Sequence, residues 1–237
     1  MKACVVVPTY NEKKMIRALV QSVENNSPPD MEILFVDDSS PDGTADEVRG
    51  VAATDARVHL LLRPRKAGIG AAHLDGFRKA LETIKPDVII EMDADLQHPP
   101  QKLVELVSAI AGGADVAVAS RKVKGGGTVG WSIWRRAVSR GANWMARIVL
   151  GLGVRDSTSG YRALSSRAAS VLVNSNLPTS SYSFQVASLY LLKKEGMKMV
   201  EVPFTFQVRM VGKSKMGFGE ILEFFWSVLK LRLRGVD

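Results

Sequence analysis

The amino-acid sequence predicts an α/β fold with a mostly parallel sheet that is flanked by helices. Five short runs rich in Val, Ile and Leu read ACVVV, EILFV, VHLLL, DVIIEM and DVAVAS in the first half of the chain. Such near-continuous apolar strands are typical of a parallel sheet that is covered on both faces. Apolar residues recur at helical spacing between the runs, for example at Met15, Leu19 and Val23. Strands and helices therefore alternate, and we expect right-handed crossovers.

The composition is that of a globular protein with an anionic partner. The 237 residues are 46% hydrophobic and 24% charged, and 32 Lys and Arg outnumber 24 Asp and Glu, which gives a net charge of +8. A chain of this length buries a sizeable core as one large domain or as one domain with an appendage. The positive charge is compatible with nucleic acid, a phosphorylated substrate or an anionic membrane as the partner.

The chain is expected to work in the cytoplasm, either in solution or on a membrane surface. Cys4 is the only cysteine, so no internal disulfide forms, and its apolar surroundings indicate a buried small hydrophobe. The apolar run before Pro8 has only five residues, 3–7, too few for the core of a signal peptide. The longest uncharged span, 168–192, contains six serines, two asparagines and a proline, so it is not expected to cross a bilayer.

Polar segments follow each predicted strand. They read PTYNE, VDDSSPDGT, RPRKAGIG, DADLQHPP and SRKVKGGG. Ligands of open α/β sheets collect beyond the carboxyl ends of the strands, where these segments meet. The charged residues gathered at this edge are Glu12, Asp37, Asp38, Lys66, Asp93, Asp95 and Arg121.

The DADLQ segment indicates a divalent metal site. Asp93 and Asp95 project the same way from a strand end, and Gln97 adds an amide oxygen. These are hard ligands for Mg²⁺ or Mn²⁺, with water and substrate phosphates completing the shell. The alternative is that the aspartates cap the helix that begins at Pro99 and Pro100.

Two other segments have both a binding and a structural interpretation. Asp37 is expected to contact a nucleotide, whereas Asp42 in SSPDGT is expected to form a turn. The segment RMVGKSKMG carries Arg209 and Lys215 in a glycine-containing stretch that suits closure over a diphosphate. The alternative is a solvated basic loop.

The last part of the chain predicts two amphipathic helices. The first spans 131–152, and its basic residues Arg136, Arg140 and Arg147 fall together opposite an apolar stripe. The second spans 217–234 and carries several aromatic residues before a basic end. We divide the chain into a catalytic domain, 1–216, and a C-terminal amphipathic segment, 217–237, that docks on a membrane surface or a partner.

Together these motifs resemble family 2 glycosyltransferases with the GT-A fold. The resemblance rests on VVVPTYNE, FVDDSSPDGT, MDADLQHPP, ASRK, DSTSGYRA and PFTFQVRMVGKSKMG, which occur in this order between residue 3 and about residue 219. Within the family, the sequence is most similar to the dolichyl-phosphate mannosyltransferases. This resemblance implies mannose transfer from GDP-mannose to dolichyl or another polyprenyl phosphate, with Mg²⁺ or Mn²⁺. One departure is Ala187, which stands where the family often has a glutamate.

The resemblance also implies a role for individual residues. The nucleotide-sugar pocket would be lined by Pro8, Tyr10, Glu12, Val36, Asp37, Asp93 and Ala94. Asp95 and Gln97 would bind the metal, and Arg121 and Arg135 would hold the acceptor phosphate. Arg209 and Lys215 would hold the donor diphosphate. The catalytic set is then Asp93, Asp95, Arg121, Arg209 and Lys215.

A lipid acceptor implies a membrane surface. Since no predicted helix crosses a bilayer, we expect peripheral association with the cytoplasmic face through Trp131, Trp134 and the aromatic cluster 224–226. These side chains alternatively complete the core, or meet a separate membrane subunit.

Two other functions are left open at this point. One is a family 2 transferase that uses a UDP-sugar, such as a polyprenyl-phosphate glucosyltransferase. The other is a non-catalytic nucleotide-binding module. Nucleic acid is not expected as a partner, because the acidic sheet edge would repel its phosphates.

Overall fold

The computed structural model describes residues 1–28, 30–178, 181–207 and 218–235. The strands are β1 Ala3–Thr9, β2 Glu32–Asp37, β3 Val58–Leu62, β4 Val88–Glu91, β5 Val116–Ser120, β6 Gly127–Val129, β7 Arg162–Ser165, β8 Met199–Pro203 and β9 Thr205–Gln207. The α-helices are α1 Ile16–Asn26, α2 Thr44–Ala52, α3 Ile69–Lys79, α4 Leu103–Ala111, α5 Ile133–Leu150, α6 Ser166–Val173, α7 Ser181–Lys194 and α8 Phe218–Arg234.

Seven strands form the main sheet in the order β3-β2-β1-β4-β7-β5-β8. All five strands predicted from the apolar runs are in it, and they confirm the mostly parallel sheet. Strand β7 is the exception in direction, since it pairs antiparallel with both β4 and β5. It was not predicted, because its four residues RALS carry neither an apolar run nor a clear alternation. The short strands β6 and β9 pair separately, in parallel.

Two apolar layers enclose the sheet. Cys4 and Val6 of β1 point into the layer formed with α3, α5, α6, α7 and α8. The alternating Val5 and Val7 point into the opposite layer, with α1, α2 and α4. Cys4 is fully buried, and this burial raises the pKa of its thiol. The predicted role of Cys4 as a core residue is therefore confirmed.

Helix α5 is shorter than the predicted span 131–152. It begins after Ser132, whose Oγ accepts a hydrogen bond from Arg135 N at 3.2 Å, and it ends at Gly151, which has a φ of 63°. Trp131 therefore precedes the helix and turns into the core, where it is only 7% exposed. The prediction that Trp131 contacts a membrane is wrong, because it packs edge-on against Phe206.

Helix α8 completes the layer that contains α5 and α7. Phe224, Val228 and Leu231 are buried in that layer, so the prediction of membrane contact is also wrong for Phe224. Trp134 on α5 and Trp226 on α8 are 69% and 66% exposed, as expected for surface contacts. Among the described residues, no helix is long and apolar enough to span a membrane.

The predicted strand in MVEVPFTFQV is divided in two. Strand β8 joins the main sheet, and β9 leaves it to pair with β6. The segment after β9, residues 208–217, lies outside the described residues. The predictions for Arg209 and Lys215 fall on it. The division of the chain at residue 216 stays a prediction.

Candidate active site

Asp37 closes the end of β2 and is fully buried. Its carboxylate accepts hydrogen bonds from Thr9 Oγ1 at 3.0 Å, from Ser40 Oγ at 2.6 Å and from Ser40 N at 2.9 Å. A carboxylate has about four acceptor positions, so these three bonds leave room for little else. Asp37 thus ties β1 to β2 and orients the edge at which a nucleotide is expected. Asp42 accepts from Thr44 N at 3.0 Å, which confirms its predicted role in the turn.

Asp38, the neighbour of Asp37, has a structural role. Its carboxylate forms a buried ion pair with Arg63 Nη1, and Arg63 Nε donates to Asp75 Oδ2 at 2.8 Å. Arg63 follows β3, so this ion pair joins the ends of two strands to α3. Asp38 therefore stabilises the fold, whereas Asp37 lies among the predicted nucleotide-binding residues.

The other predicted nucleotide residues lie close to Asp37. Pro8 and Val36 are register partners in the β1–β2 pair. Beyond β1, the half-exposed ring of Tyr10 lies 4.1 Å from Lys66 Nζ. The backbone N–H of Glu12 donates to Thr44 Oγ1 at 3.0 Å. The ends of β1, β2 and β3 thus form one continuous polar edge.

The DADLQ loop turns sharply after β4. Asp95 Oδ1 accepts a hydrogen bond from Gln97 N at 2.9 Å, and Leu96 between them has a φ of 61°. This turn holds Asp95 and Gln97 in one compact loop with Asp93 and Ala94. The alternative of helix capping is not observed, since the next helical turn begins after Pro99 with no side-chain cap.

His98 holds the start of this loop in place. Its Nδ1 accepts a hydrogen bond from Asp93 N at 3.0 Å, and its ring stacks on Tyr161 with centroids 4.8 Å apart. Tyr161 in turn donates its hydroxyl proton to Pro99 O at 3.0 Å. Burial lowers the pKa of His98 to about 3, so the ring is neutral and Nδ1 is free to accept. Sequence reasoning found no role for His98, because this partner is a backbone atom.

A buried polar cluster lies beneath the loop. Glu91 and Arg162 are register partners in β4 and β7, and both are buried. Arg162 Nη1 donates to Gln185 O at 2.9 Å and to Ser188 Oγ at 3.0 Å, while Nη2 donates to Ser157 O at 2.9 Å. Gln185 Nε2 donates to Glu91 Oε2 at 3.1 Å. Burial raises the pKa of Glu91 to about 7 and lowers that of Arg162 to about 10.

Arg121 lies across the site from the acidic loop. Its Nε donates to Asp156 Oδ2 at 2.7 Å and its Nη2 donates to Asp156 Oδ1 at 2.6 Å, a bidentate ion pair. Asp156 is fully buried, and although burial opposes it, the Arg121 guanidinium holds the pKa of this carboxyl below its usual value. Arg121 is therefore fixed in position, with its charge largely balanced by Asp156.

Trp131 connects Arg121 to Arg135. Its ring lies 4.2 Å from the Arg135 guanidinium carbon and 5.2 Å from that of Arg121, both within cation–π range. Two buried polar atoms have no hydrogen-bond partner among the described residues, Trp131 Nε1 and Ser139 Oγ of α5. Buried polar groups are rarely left without a partner, so such atoms point to a ligand. Neither atom was predicted.

The donor set of the acidic loop suits a hard divalent cation. Asp93, Asp95 and Gln97 supply only oxygen ligands, which excludes a zinc site of the usual nitrogen and sulfur type. Within the described ranges, no group of three or more His, Cys, Asp or Glu side chains converges on one point. A cation here would therefore take further ligands from water and phosphate, as Mg²⁺ and Mn²⁺ usually do.

Comparison with known proteins identifies the family. The model for glycosyl transferase family 2 matches residues 4–172. This chain belongs to that family. The match runs from β1 into α6 and so includes the acidic loop, Arg121 and Arg162. The resemblance inferred from the motifs is confirmed.

Three curated relatives match almost the whole chain. The polyprenol monophosphomannose synthase of Mycolicibacterium smegmatis is 40% identical over 99% of this chain and 88% of its own length. The undecaprenyl-phosphate mannosyltransferase of Micrococcus luteus is 38% identical over 94% of this chain and 90% of its own. The dolichol-phosphate mannosyltransferase of Pyrococcus furiosus is 35% identical over 98% of this chain, but this covers 64% of the longer relative.

Solved structures share the fold. A mannosyltransferase from Pyrobaculum calidifontis in complex with GDP-Man and Mn²⁺ matches 98% of this chain and 62% of its own, with a TM-score of 0.61 and 17% identity. Glucosyl-3-phosphoglycerate synthase from Mycobacterium tuberculosis, with Mn²⁺, UDP and glucosyl-3-phosphoglycerate, matches 98% of this chain and 79% of its own, with a TM-score of 0.66 and 19% identity. The predicted GT-A type of α/β fold is confirmed.

Proposed function

We propose that this enzyme transfers mannose from GDP-mannose to a polyprenyl phosphate, such as dolichyl phosphate, with inversion at the anomeric carbon. The proposal rests on the division of one sheet edge into an acidic part and a basic part. The acidic loop after β4 suits a metal-bound donor, and the basic residues after β5 suit an anionic acceptor. The names of the three curated relatives agree with this function.

The donor is assigned to the ends of β1, β2 and β4. The nucleotide pocket is lined by Pro8, Tyr10, Glu12, Val36 and Asp37. The ribose and diphosphate are contacted by Asp93 and Ala94. Asp95 and Gln97 would hold Mg²⁺ or Mn²⁺, and the ion would supply positive charge for the departing diphosphate. Arg209 and Lys215 are assigned to the same diphosphate, although they lie outside the described residues.

The acceptor requires cations rather than a strong base. A lipid monophosphate has a second pKa near 6, so it is already mostly a dianion at neutral pH. Arg121 and Arg135 bind and orient this phosphate on either side of the Trp131 ring. The buried Trp131 N–H, which has no partner among the described residues, is assigned as a further donor to this phosphate.

A lipid acceptor requires a membrane surface, and we assign the enzyme to the cytoplasmic face. Helices α5 and α8 pack together and carry large exposed apolar side chains, including Trp134, Trp144 and Trp226. Aromatic side chains of this kind favour the boundary between lipid and water. A membrane subunit that docks on the same two helices is the alternative support for this surface.

The function is tested with a donor panel and a lipid acceptor. Purified enzyme is incubated with labelled GDP-mannose or UDP-glucose, a polyprenyl phosphate and Mn²⁺, and the lipid product is extracted into organic solvent. We expect product from GDP-mannose alone, with inverted configuration. Transfer from UDP-glucose alone would identify a glucosyltransferase, and a trapped covalent glycosyl-enzyme would contradict direct displacement.

The metal assignment is tested by Asp95→Asn. This isosteric change removes a charged ligand, and we expect the turnover to fall on the order of 100-fold or more, with no change in the unfolding temperature. Asp46→Asn is the matched control, because Asp46 lies exposed on α2, where it pairs with Arg49. Full activity of Asp95→Asn would refute the assignment.

A further inference from the structure

A basic cavity of about 310 Å³ lies beside the proposed acceptor site. Its walls are the segment that joins β5 to β6 and one side of α5. The basic residues that line it are Arg121, Lys122, Arg136 and Arg140. Arg135, which was assigned to the acceptor phosphate, is not among the lining residues. The cavity and the acceptor site therefore share Arg121 but have different further cations.

Three of the four cations form no ion pair within the described part of the chain. Asp156 balances Arg121, whereas Lys122, Arg136 and Arg140 form no ion pair with any carboxylate of the described residues. Lys122 is half-buried, and this burial lowers its pKa. Asp156 opposes the shift, whereas Arg121 and Arg140 lower the pKa further. Positive charges are thus held close together at a partly desolvated position. A bound anion would relieve this repulsion.

The backbone around the cavity is firmly held. Gly126 N donates to Val123 O at 2.9 Å, and Gly127 N donates to Phe204 O at 3.0 Å. A Cβ at Gly126 would collide with the carbonyl oxygen of Ser120, so only glycine allows the chain to return this closely to the end of β5. The pairing of β6 with β9 fixes the far end of the segment. The cavity is therefore preformed, which lowers the cost of binding.

An exposed apolar stripe borders the cavity. On α5, Ile133 lies one turn before Arg136, and Trp144 lies one turn after Arg140. Ile133, Trp144 and the neighbouring Ile148 are all exposed. A phosphate in the cavity could thus carry a hydrocarbon chain that covers this stripe. A soluble anion would leave the stripe in water.

We propose that this cavity binds the headgroup phosphate of an anionic membrane phospholipid. It is a second lipid-phosphate site, distinct from the acceptor site at Arg121 and Arg135. The inference uses only the membrane association within the proposed function and is independent of the sugar that is transferred. Its role is to hold α5 at the bilayer surface, so that the acceptor site faces the plane in which lipid phosphates lie.

The test is flotation of the full chain with two kinds of vesicle, phosphatidylcholine alone and phosphatidylcholine with phosphatidylglycerol. We expect strong binding only to the anionic vesicles. The variant Lys122→Gln/Arg136→Gln/Arg140→Gln should lose binding to them on the order of 100-fold. Equal binding of the unaltered chain to both vesicles would overturn the proposal.

A matched control separates this site from net charge. Lys85→Gln/Arg167→Gln/Lys198→Gln removes the same charge at exposed positions next to the opposite edge of the sheet. Lys85 and Lys198 precede the parallel strands β4 and β8, and Arg167 lies beside Asp115, which precedes β5. This control should retain most of its binding. An equal loss in both triple variants would refute a specific site.

Two further measurements separate the possible sources of the phosphate. Inorganic phosphate should not stabilise the chain against thermal unfolding; stabilisation that is lost in the Lys122 triple variant would indicate a soluble anion instead. With a short water-soluble polyprenyl phosphate and no vesicles, the same variant should keep its transfer rate. A large loss there would make the cavity the acceptor site. Absence of transfer by the unaltered chain would refute the proposed function and leave the flotation result unaffected.

Discussion

At the residue scale, the site depends on side chains that bind backbone atoms. His98 Nδ1 accepts a hydrogen bond from Asp93 N, and the Asp37 carboxylate accepts one from Ser40 N. Each bond fixes the conformation of the loop that contains the donor. The acidic residues were predictable because their type and spacing match metal and nucleotide chemistry. The role of His98 was not, since a histidine beside two aspartates equally suits a metal ligand.

The histidine role is tested by His98→Phe. Phe keeps the stacking on Tyr161 but removes the His98 acceptor of the half-buried Asp93 N–H, so the free energy of unfolding should fall by about 1–3 kcal/mol. Because the loop is then less ordered, the Mn²⁺ concentration for half-maximal activity should rise about 10- to 100-fold. His59→Phe, on β3, serves as the control. Unchanged Mn²⁺ dependence in His98→Phe would contradict the role.

A second buried histidine makes stability depend on pH. Burial lowers the pKa of His73 from 6.5 to about 3, with Arg162 adding to the effect. Between these values the unfolded chain binds a proton that the folded chain does not, so stability falls as the pH drops below 6.5. From pH 7 to pH 5 this costs about 2 kcal/mol, which His73→Leu should remove. Urea unfolding at both pH values measures it, and an equal loss in the variant would contradict the assignment.

At the element scale, the aromatic residues near α5 and α8 are divided between core and surface differently than the sequence predicts. Both carry aromatic residues near basic ones, and this composition predicts that Trp131, Trp134 and the cluster 224–226 face a membrane. The structure begins α5 at Ile133 and thereby turns Trp131 inward, while Trp134 one turn on stays exposed. The position of the helix start, determined by the Ser132 cap, decides between the two environments.

The two tryptophans should therefore respond differently to alanine. Trp131→Ala removes a buried ring between two arginines, and the free energy of unfolding should fall by about 3–5 kcal/mol. Trp134→Ala should change stability by less than about 0.5 kcal/mol while weakening vesicle binding. Denaturant titration and flotation measure the two effects. Equal destabilisation by both variants would contradict the burial of Trp131.

At the scale of the whole molecule, β7 joins the strand before the acidic loop to the strand before Arg121. It inserts between β4 and β5 and brings Arg162 opposite Glu91, while the segment before it carries Asp156 to Arg121. One buried network therefore connects β4, which leads into the acidic loop, with Asp156, which holds Arg121. Arg162 is a positioning residue in this network and not one that contacts substrate.

A double-mutant cycle tests the network. Burial raises the Glu91 pKa and Arg162 opposes this effect, so Arg162→Met removes the cation that favours the ionised carboxylate and should cost about 3–5 kcal/mol at pH 8. Adding Glu91→Gln removes that charge, so the double variant should be more stable than the sum of the single changes predicts, by at least about 1 kcal/mol. Additive losses would show that the two side chains do not interact.

The sequence by itself determined the α/β class, the five parallel strands, the buried Cys4 and the family, because these depend on local apolar periodicity and on short ordered motifs. It also placed the acidic and basic residues at one sheet edge. Only the tertiary structure decided that β7 is antiparallel, that Asp38 pairs with Arg63, that Arg121 pairs with Asp156 and that Trp131 is buried. Each of these depends on a partner distant in the chain, and residue type and spacing do not specify which partner a charge or a ring will meet.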